Sequence, residues 1–111
     1  MKLEARRLMY FTNNLPAMRH FYAEVLGLEE VEGDLIQFKA GPIMIALHNG
    51  KSEAGKRPPK LGFYVKDVAA TREALIERGV KKMGKLGTSP ELDRCDFRDP
   101  DGNMLGLSNR P

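Results

Sequence analysis

The sequence has one cysteine, Cys95, no tryptophan and only two histidines, His20 and His48. One thiol cannot close a disulfide within the chain, and it cannot build a zinc site from several thiolates. Such cysteine usage fits a reducing compartment, so the expected location is cytoplasmic. Long hydrophobic runs are missing too, since no stretch approaches the roughly 18 consecutive apolar residues of a spanning helix. The start, MKLEARRLMYF, lacks the apolar run and small-residue cleavage site of a signal peptide. No membrane role is expected. The chain also lacks a phosphate loop, a dinucleotide fingerprint and any Ser/His/Asp arrangement for nucleophilic catalysis.

What is present is an ordinary globular composition, with 41% hydrophobic and 30% charged residues in 111 positions. That length supports one core and excludes a large multi-domain enzyme. Eighteen Lys and Arg against fifteen Asp and Glu leave a formal charge of +3. Lys51, Lys56, Arg57, Lys60, Lys81, Lys82 and Lys85 make a local basic excess, but no aromatic platform is interleaved with them. Two of these clusters sit in Gly/Pro-rich loops, where solvated lysines are the ordinary explanation and nucleic acid is not the expected partner.

Residues 5–12 read as a strand and 15–26 as a helix, with Asn14 at its N-cap, Pro16 in its first turn and Gly27 as its stop. Leu15, Met18, Phe21, Tyr22, Val25 and Leu26 recur at helical spacing. Three extended segments follow at 29–32, 34–39 and 43–48, spaced like a small antiparallel meander. The stretch NGKSEAGKRPP has no apolar side chain larger than alanine and reads as a linker. The order then begins again. A strand at 60–66 precedes a helix capped by Asp67 and stopped by Gly79, and a strand at 80–83 leads into a mobile loop. The strands 92–98 and 103–108 are joined by Asp99-Pro100-Asp101-Gly102, a type I or II turn. Two modules, 1–49 and 60–111, thus flank a linker at 50–59, and matching Asn14 with Asp67 matches Arg7 with Lys60.

The stretch Asn14 to Leu28, NLPAMRHFYAEVLGL, with its Phe21-Tyr22 pair before Val25-Leu26-Gly27-Leu28, resembles the first helix of the vicinal oxygen chelate superfamily. That superfamily includes glyoxalase I, bleomycin resistance proteins and extradiol dioxygenases. Phe97-Arg98-Asp99-Pro100-Asp101-Gly102-Asn103 is similar to the hairpin before its last strand, and Val65-Lys66-Asp67-Val68 to the opening of its second helix. The resemblance implies an α+β fold: one domain of two βαβββ modules forming a cupped, mostly antiparallel sheet with helices on the outer face. It also implies a ligand in the cup and a homodimer. Members that use a metal carry His and Glu at four inward positions, and these fall here on Arg7, Ile45, Lys60 and Gly106. None of the four can ligate a metal, because Arg and Lys are cationic donors, Ile is apolar and Gly has no side chain. The expected cofactor is therefore none.

Strand alternation gives the expected contents of the cup. Arg7, Met9 and Phe11, then Gln37, then Ile45 and Leu47, then Lys60, Gly62 and Tyr64, then Met104, Gly106 and Ser108 would point inward, making a largely apolar small-molecule site. Gly62 and Gly106 would leave volume. Arg7 and Lys60 would either hold an anionic oxygen or snorkel to the rim and pair with Glu4, Glu30 or Asp93. Tyr64 and Gln37 would orient a bound molecule, or else Tyr64 would satisfy its hydroxyl on backbone. Cys95 lies near Arg94 and Arg98 in sequence, and the plain reading is a half-buried core residue. The expected function is metal-independent binding of a planar or anionic small molecule. The alternatives are a metal-free lyase or isomerase using Arg7, Lys60 or Tyr64, and an accessory protein that binds a macromolecule through its surface.

Overall fold

Leu8, Tyr10 and Thr12 alternate with Arg7, Met9 and Phe11 along the first strand, and this period of two decides which residues meet a helix. The computed structural model describes residues 1–111. They divide into two units, Met1–Glu53 and Ala54–Pro111.

In the first unit, β1 (Arg7–Thr12) leads into α1 (Leu15–His20), followed by β2 (Glu30–Val31), β3 (Ile36–Ala40) and β4 (Ile43–Asn49). The sheet order is β1-β4-β3-β2, with β1 parallel to β4 and the other neighbours antiparallel. After α1 the chain widens into a π-helical turn, Phe21–Val25. The Leu26 N–H reaches back five residues to the Phe21 carbonyl at 2.9 Å, and Gly27 at φ 70° ends the helix. The wider turn buries Phe21, Tyr22 and Val25 together beside Met18. Tyr22 stacks on Tyr10 of β1 and on Phe38 of β3, each at 6.1 Å between ring centroids. Phe21 meets Tyr22 edge-on at 5.2 Å. This aromatic column is the centre of the first core, since large buried rings dominate such energetics.

Asn14 occupies the N-cap position, yet its side chain makes no capping bond. Instead the buried Thr12 hydroxyl accepts the Asn14 N–H at 2.9 Å. The expected Asn cap is thus replaced by a hydroxyl turn two residues earlier.

The second unit repeats the order, with β5 (Lys60–Tyr64), α2 (Val68–Glu77), β6 (Gly87–Thr88), β7 (Asp93–Arg98) and β8 (Met104–Ser108). Its sheet order is β5-β8-β7-β6, again with only the first strand parallel to its neighbour. Here the cap is as expected: the Asp67 carboxylate accepts the Ala70 N–H at 3.0 Å. Each unit is one βαβββ module, so the architecture is α+β with mostly antiparallel pairing, as the sequence predicts.

Two expectations in this unit are corrected. Residues 80–83 form no strand; only a single bridge joins Met83 to Phe97. The expected mobile loop contains β6 instead. The physical reason is the outer edge of β7, whose backbone groups need partners. The Arg98 N–H donates to the Lys82 carbonyl at 3.1 Å and the Gly84 N–H to the Asp96 carbonyl at 2.7 Å, while β6 pairs with Asp93 and Arg94. Gly84 permits that approach, since a Cβ there would lie 2.7 Å from the Asp96 carbonyl oxygen.

The hairpin from β7 to β8 is held by Asp99, which is 1% exposed. One carboxylate oxygen accepts the N–H groups of Asp101 (3.0 Å) and Asn103 (2.9 Å), and the other accepts the Asn103 side-chain amide at 2.9 Å. No residue other than glycine has positive φ, so Asp101 makes the turn type I and not type II.

Candidate functional site

In each unit the face of the sheet turned away from its helix carries most of the candidate residues, Ile45 and Leu47 excepted. On the first sheet, Tyr10 and Phe38 contact Tyr22 of the helix segment. In the pairing register Phe38 stands opposite Ile45 and Tyr10 opposite Leu47. Ile45 and Leu47 therefore lie on the helix side, buried at 0% and 2% exposure. This corrects the expectation that they face the same way as Arg7. Parallel pairing sets Arg7 against Met44 and Met9 against Ala46, so the β4 residues on the open face are Met44, Ala46 and His48. Sequence alternation could not reveal this, because Ile43, Ile45 and Leu47 are as apolar as a lining set would be, and only the register of β1 on β4 decides.

On the second sheet the open face carries Lys60, Gly62 and Tyr64 of β5, Met104, Gly106 and Ser108 of β8, and Arg94, Asp96 and Arg98 of β7. The opposite face buries Cys95, Phe97, Leu105 and Leu107.

Set side by side, the two units repeat one arrangement. A cation begins the first strand, Arg7 or Lys60, opposite a methionine, Met44 or Met104. It reaches across the neighbouring strand, past a small residue, to an acceptor on the third strand. Arg7 Nε donates to Gln37 Oε1 at 3.0 Å, and Lys60 Nζ donates to Asp96 Oδ1 at 3.0 Å. Gln37 stands opposite Ala46, and Asp96 opposite Gly106. Each first strand also presents an exposed aromatic ring, Phe11 at 52% and Tyr64 at 59%. The residue equivalent to Gly106 is therefore Ala46 and not Ile45.

These pairings answer where the two cations go. Glu4 is bonded to Arg6 and Glu30 to Arg19, so neither serves Arg7 or Lys60. Asp93 forms no ion pair with either cation, whose partners are Gln37 and Asp96. The partner of Lys60 is Asp96, which sequence reading missed. No local signal marks it, because Asp96 meets Lys60 only through the registers of β5 and β7 on β8. The space expected at Gly106 is taken by this ion pair, because a Cβ there would lie 2.9 Å from Lys60 Cδ and 3.1 Å from Asp96 Oδ1. Gly62 differs: a Cβ on it would meet nothing within 4 Å. Its counterpart in the first unit is Met9.

The histidines stand apart. His20 ends α1 and is exposed. His48 lies on the open face with its ring 5.5 Å from Phe11, and its Nδ1 lies 2.9 Å from the Asn49 carbonyl. Cys95 is buried, with its Sγ 3.5 Å from Met83 Sδ and 3.4 Å from the Gly84 carbonyl oxygen. Burial pushes its thiol above the ordinary value, and the nearby cation that offsets this in part is Arg72, not Arg94 or Arg98. That environment disfavours the thiolate a nucleophile needs.

The metal-dependent chemistry of the superfamily that the sequence resembles needs His, Asp or Glu side chains converging on one point. The residues at the corresponding places are two cations, an alanine and a glycine, and no group of three His, Cys, Asp or Glu side chains stands where it could hold an ion. The donor set does not fit a metal. No helix is long and apolar enough to cross a membrane.

A model of the Glyoxalase/Bleomycin resistance protein/Dioxygenase superfamily matches residues 5–107. Among curated proteins none matched. Of the solved structures, an integron cassette protein from the mobile metagenome of V. cholerae is similar at 27% identity and a TM-score of 0.72, over 97% of this chain and 96% of that one. TnmS3, an antibiotic binding protein from Streptomyces sp. CB03234, superposes with a TM-score of 0.76 at 23% identity, over 96% of this chain and 94% of its own. Lactoylglutathione lyase from Agrobacterium tumefaciens gives 0.74 at 21% identity, covering 97% and 94%.

Proposed function

The chain belongs to the Glyoxalase/Bleomycin resistance protein/Dioxygenase superfamily, and from that membership we propose that it is a metal-independent small-molecule-binding protein. It works as a cytoplasmic homodimer and sequesters a planar or anionic molecule on the open face of its sheets. The single observation that carries this reading is the second unit's face. An exposed Tyr64 ring stands on the same strand as Gly62, which leaves open space, while Lys60 is held in place by Asp96. A flat ring seated over Gly62 would stack beside Tyr64, and an anionic oxygen on it would compete with Asp96 for the Lys60 ammonium. In the first unit Arg7, Met9, Phe11 and Gln37 offer the same chemistry, with the Arg7 fork already oriented by Gln37. Met104 and Ser108 complete the second face.

Membership alone does not settle activity, because function lives in the site and not in the fold. The antibiotic-binding relative supports a binding role by analogy. A lyase or isomerase role using Arg7, Lys60 or Tyr64 as electrostatic or proton-transfer groups has less support, since Arg7 is engaged by Gln37 and Lys60 by Asp96.

A thermal-shift panel of aromatic carboxylates and their uncharged methyl esters tests the reading. Carboxylates should stabilise the protein more than their esters, and Tyr64→Ala should remove the effect. Equal shifts for acid and ester, or an undiminished shift in Tyr64→Ala, would overturn it.

A further inference from the structure

A cleft in the Ala54–Pro111 unit borders the β7 side of the open sheet face, sharing Asp96 and Met104 with it but including neither Gly62 nor Tyr64. It is an open cleft of about 370 Å³ where the segment after α2 runs along the outer edge of β7, a volume within the range of roughly 300–1,000 Å³ usual for small-molecule sites. Lys81, Lys82 and Arg98 line it together with Met83, Phe97 and Met104. Its only carboxylate is Asp96, and that group is already bonded to Lys60.

The two lysines have no carboxylate of their own. Neither Lys81 nor Lys82 forms an ion pair, whereas Lys39, Lys51 and Lys60 each do. Arg98 commits Nη1 to the Gly102 carbonyl at 2.6 Å, which fixes the guanidinium and leaves its remaining N–H groups for another acceptor. The cleft wall is also fixed, since the Lys82 carbonyl and the Gly84 N–H are both bonded to β7. Three cations beside Met83 and Met104 give the cleft a positive rim and an apolar floor.

We infer that this cleft binds a small amphiphilic anion, a carboxylate or phosphate ester with a short apolar body. The head group takes Lys81, Lys82 and Arg98, with Arg98 supplying directional hydrogen bonds and the lysines point charges. The body lies on Met83 and Met104, whose flexible thioethers adapt to varied shapes. A nucleic acid fits less well, because the cleft's one aromatic, Phe97, is buried at 2% exposure and offers no stacking face.

The test uses the full chain, isotopically labelled, titrated at constant ionic strength with octanoate, octanol or inorganic phosphate while backbone amide shifts are followed. Octanoate should move the amides of residues 81–84 and 97–98, and octanol and phosphate should each bind more weakly. The double variant Lys81→Glu/Lys82→Glu alters only exposed side chains and should weaken octanoate by at least about tenfold. Tyr64→Ala should leave octanoate unchanged, which separates this site from the proposed sheet-face site. Octanoate binding that survives the double charge reversal, equal binding of octanol, equal binding of phosphate, or shifts confined to residues 60–64 would each overturn the inference, as would absence of any octanoate shift.

Discussion

Lys60 Nζ lies 3.0 Å from Asp96 Oδ1, and the pair is seated over Gly106, where a Cβ would overlap the lysine side chain. The relationship joins three of the four strands of the second sheet, β5, β8 and β7, through one exposed ion pair. It also explains a glycine whose backbone needs no special conformation, since Gly106 is not among the residues with positive φ. What Gly106 supplies is room.

Replacing Gly106 by alanine should therefore open the pair without unfolding the unit. Both partners are partly exposed, at 45% and 39% for their side chains, so the lost interaction is expected to cost under about 1 kcal/mol. Urea denaturation of Gly106→Ala beside Lys60→Met checks this. The two should cost similar amounts, and the double variant should cost little more than either. A loss several times larger for Gly106→Ala would mean that the overlap is not relieved by moving Lys60.

Asp99 should matter far more. Its carboxylate accepts three hydrogen bonds at the hairpin while almost wholly buried. Asp99→Ala strands three donors and is expected to destabilise the protein by about 3 kcal/mol or more. Asp99→Asn keeps one oxygen for the two backbone donors but sets an amide against the Asn103 side chain, so its cost should be smaller. Chemical denaturation of the two variants gives the order directly.

Tyr22 links Tyr10 and Phe38 in one column, and Tyr22→Ala is expected to cost roughly 3–5 kcal/mol, as large aromatic truncations do. Tyr22→Phe preserves both stacks and should cost much less. The comparison is read from thermal or urea unfolding of the whole chain.

Cys95 gives a prediction about pH. Burial raises its folded-state value above the unfolded one, so in the folded protein the neutral thiol is favoured. Above about pH 8.5, the ordinary thiol range, the unfolded chain releases its proton first and binds fewer protons than the folded chain. Stability then falls as pH rises. Urea midpoints of the wild type should drop between neutral and alkaline pH more than those of Cys95→Ala. Identical slopes would contradict the assignment. A thiol reagent should label Cys95 at the rate of unfolding.

Much of the fold is legible in the sequence because local chemistry and periodicity agree. Asp67 before Val68, the Pro-Asp-Gly turn and the Phe21-Tyr22 pair each act within a few residues, and each fixes its element. Sequence reading fails where the deciding contact is distant along the chain. Alternation puts Ile45 and Leu47 on the wrong face because the parallel register of β1 on β4 is a tertiary fact. Strand β6 is hidden in a Gly-Ser-Pro stretch, since the demand for it comes from the edge of β7 and not from the propensity of Gly87 and Thr88. The candidate site is legible in its cations, Arg7 and Lys60, and in its aromatics, Phe11 and Tyr64. Their acceptors divide: Gln37 belongs to the expected inward set, whereas Asp96 becomes visible only when β7 is registered against β8.

A small molecule seated over Gly62 is the centre of the proposed function, and native mass spectrometry of the untagged protein from cells, with Gly62→Leu in parallel, tests it most directly. Gly62 has ordinary φ, and nothing lies within 4 Å of where its Cβ would project, so leucine should fill the site without loss of folding. The expected result is a metal-free dimer carrying an organic mass that dissociates on denaturation and is absent from Gly62→Leu. A stoichiometric metal ion, or the same organic mass on Gly62→Leu as on the wild type, would contradict it.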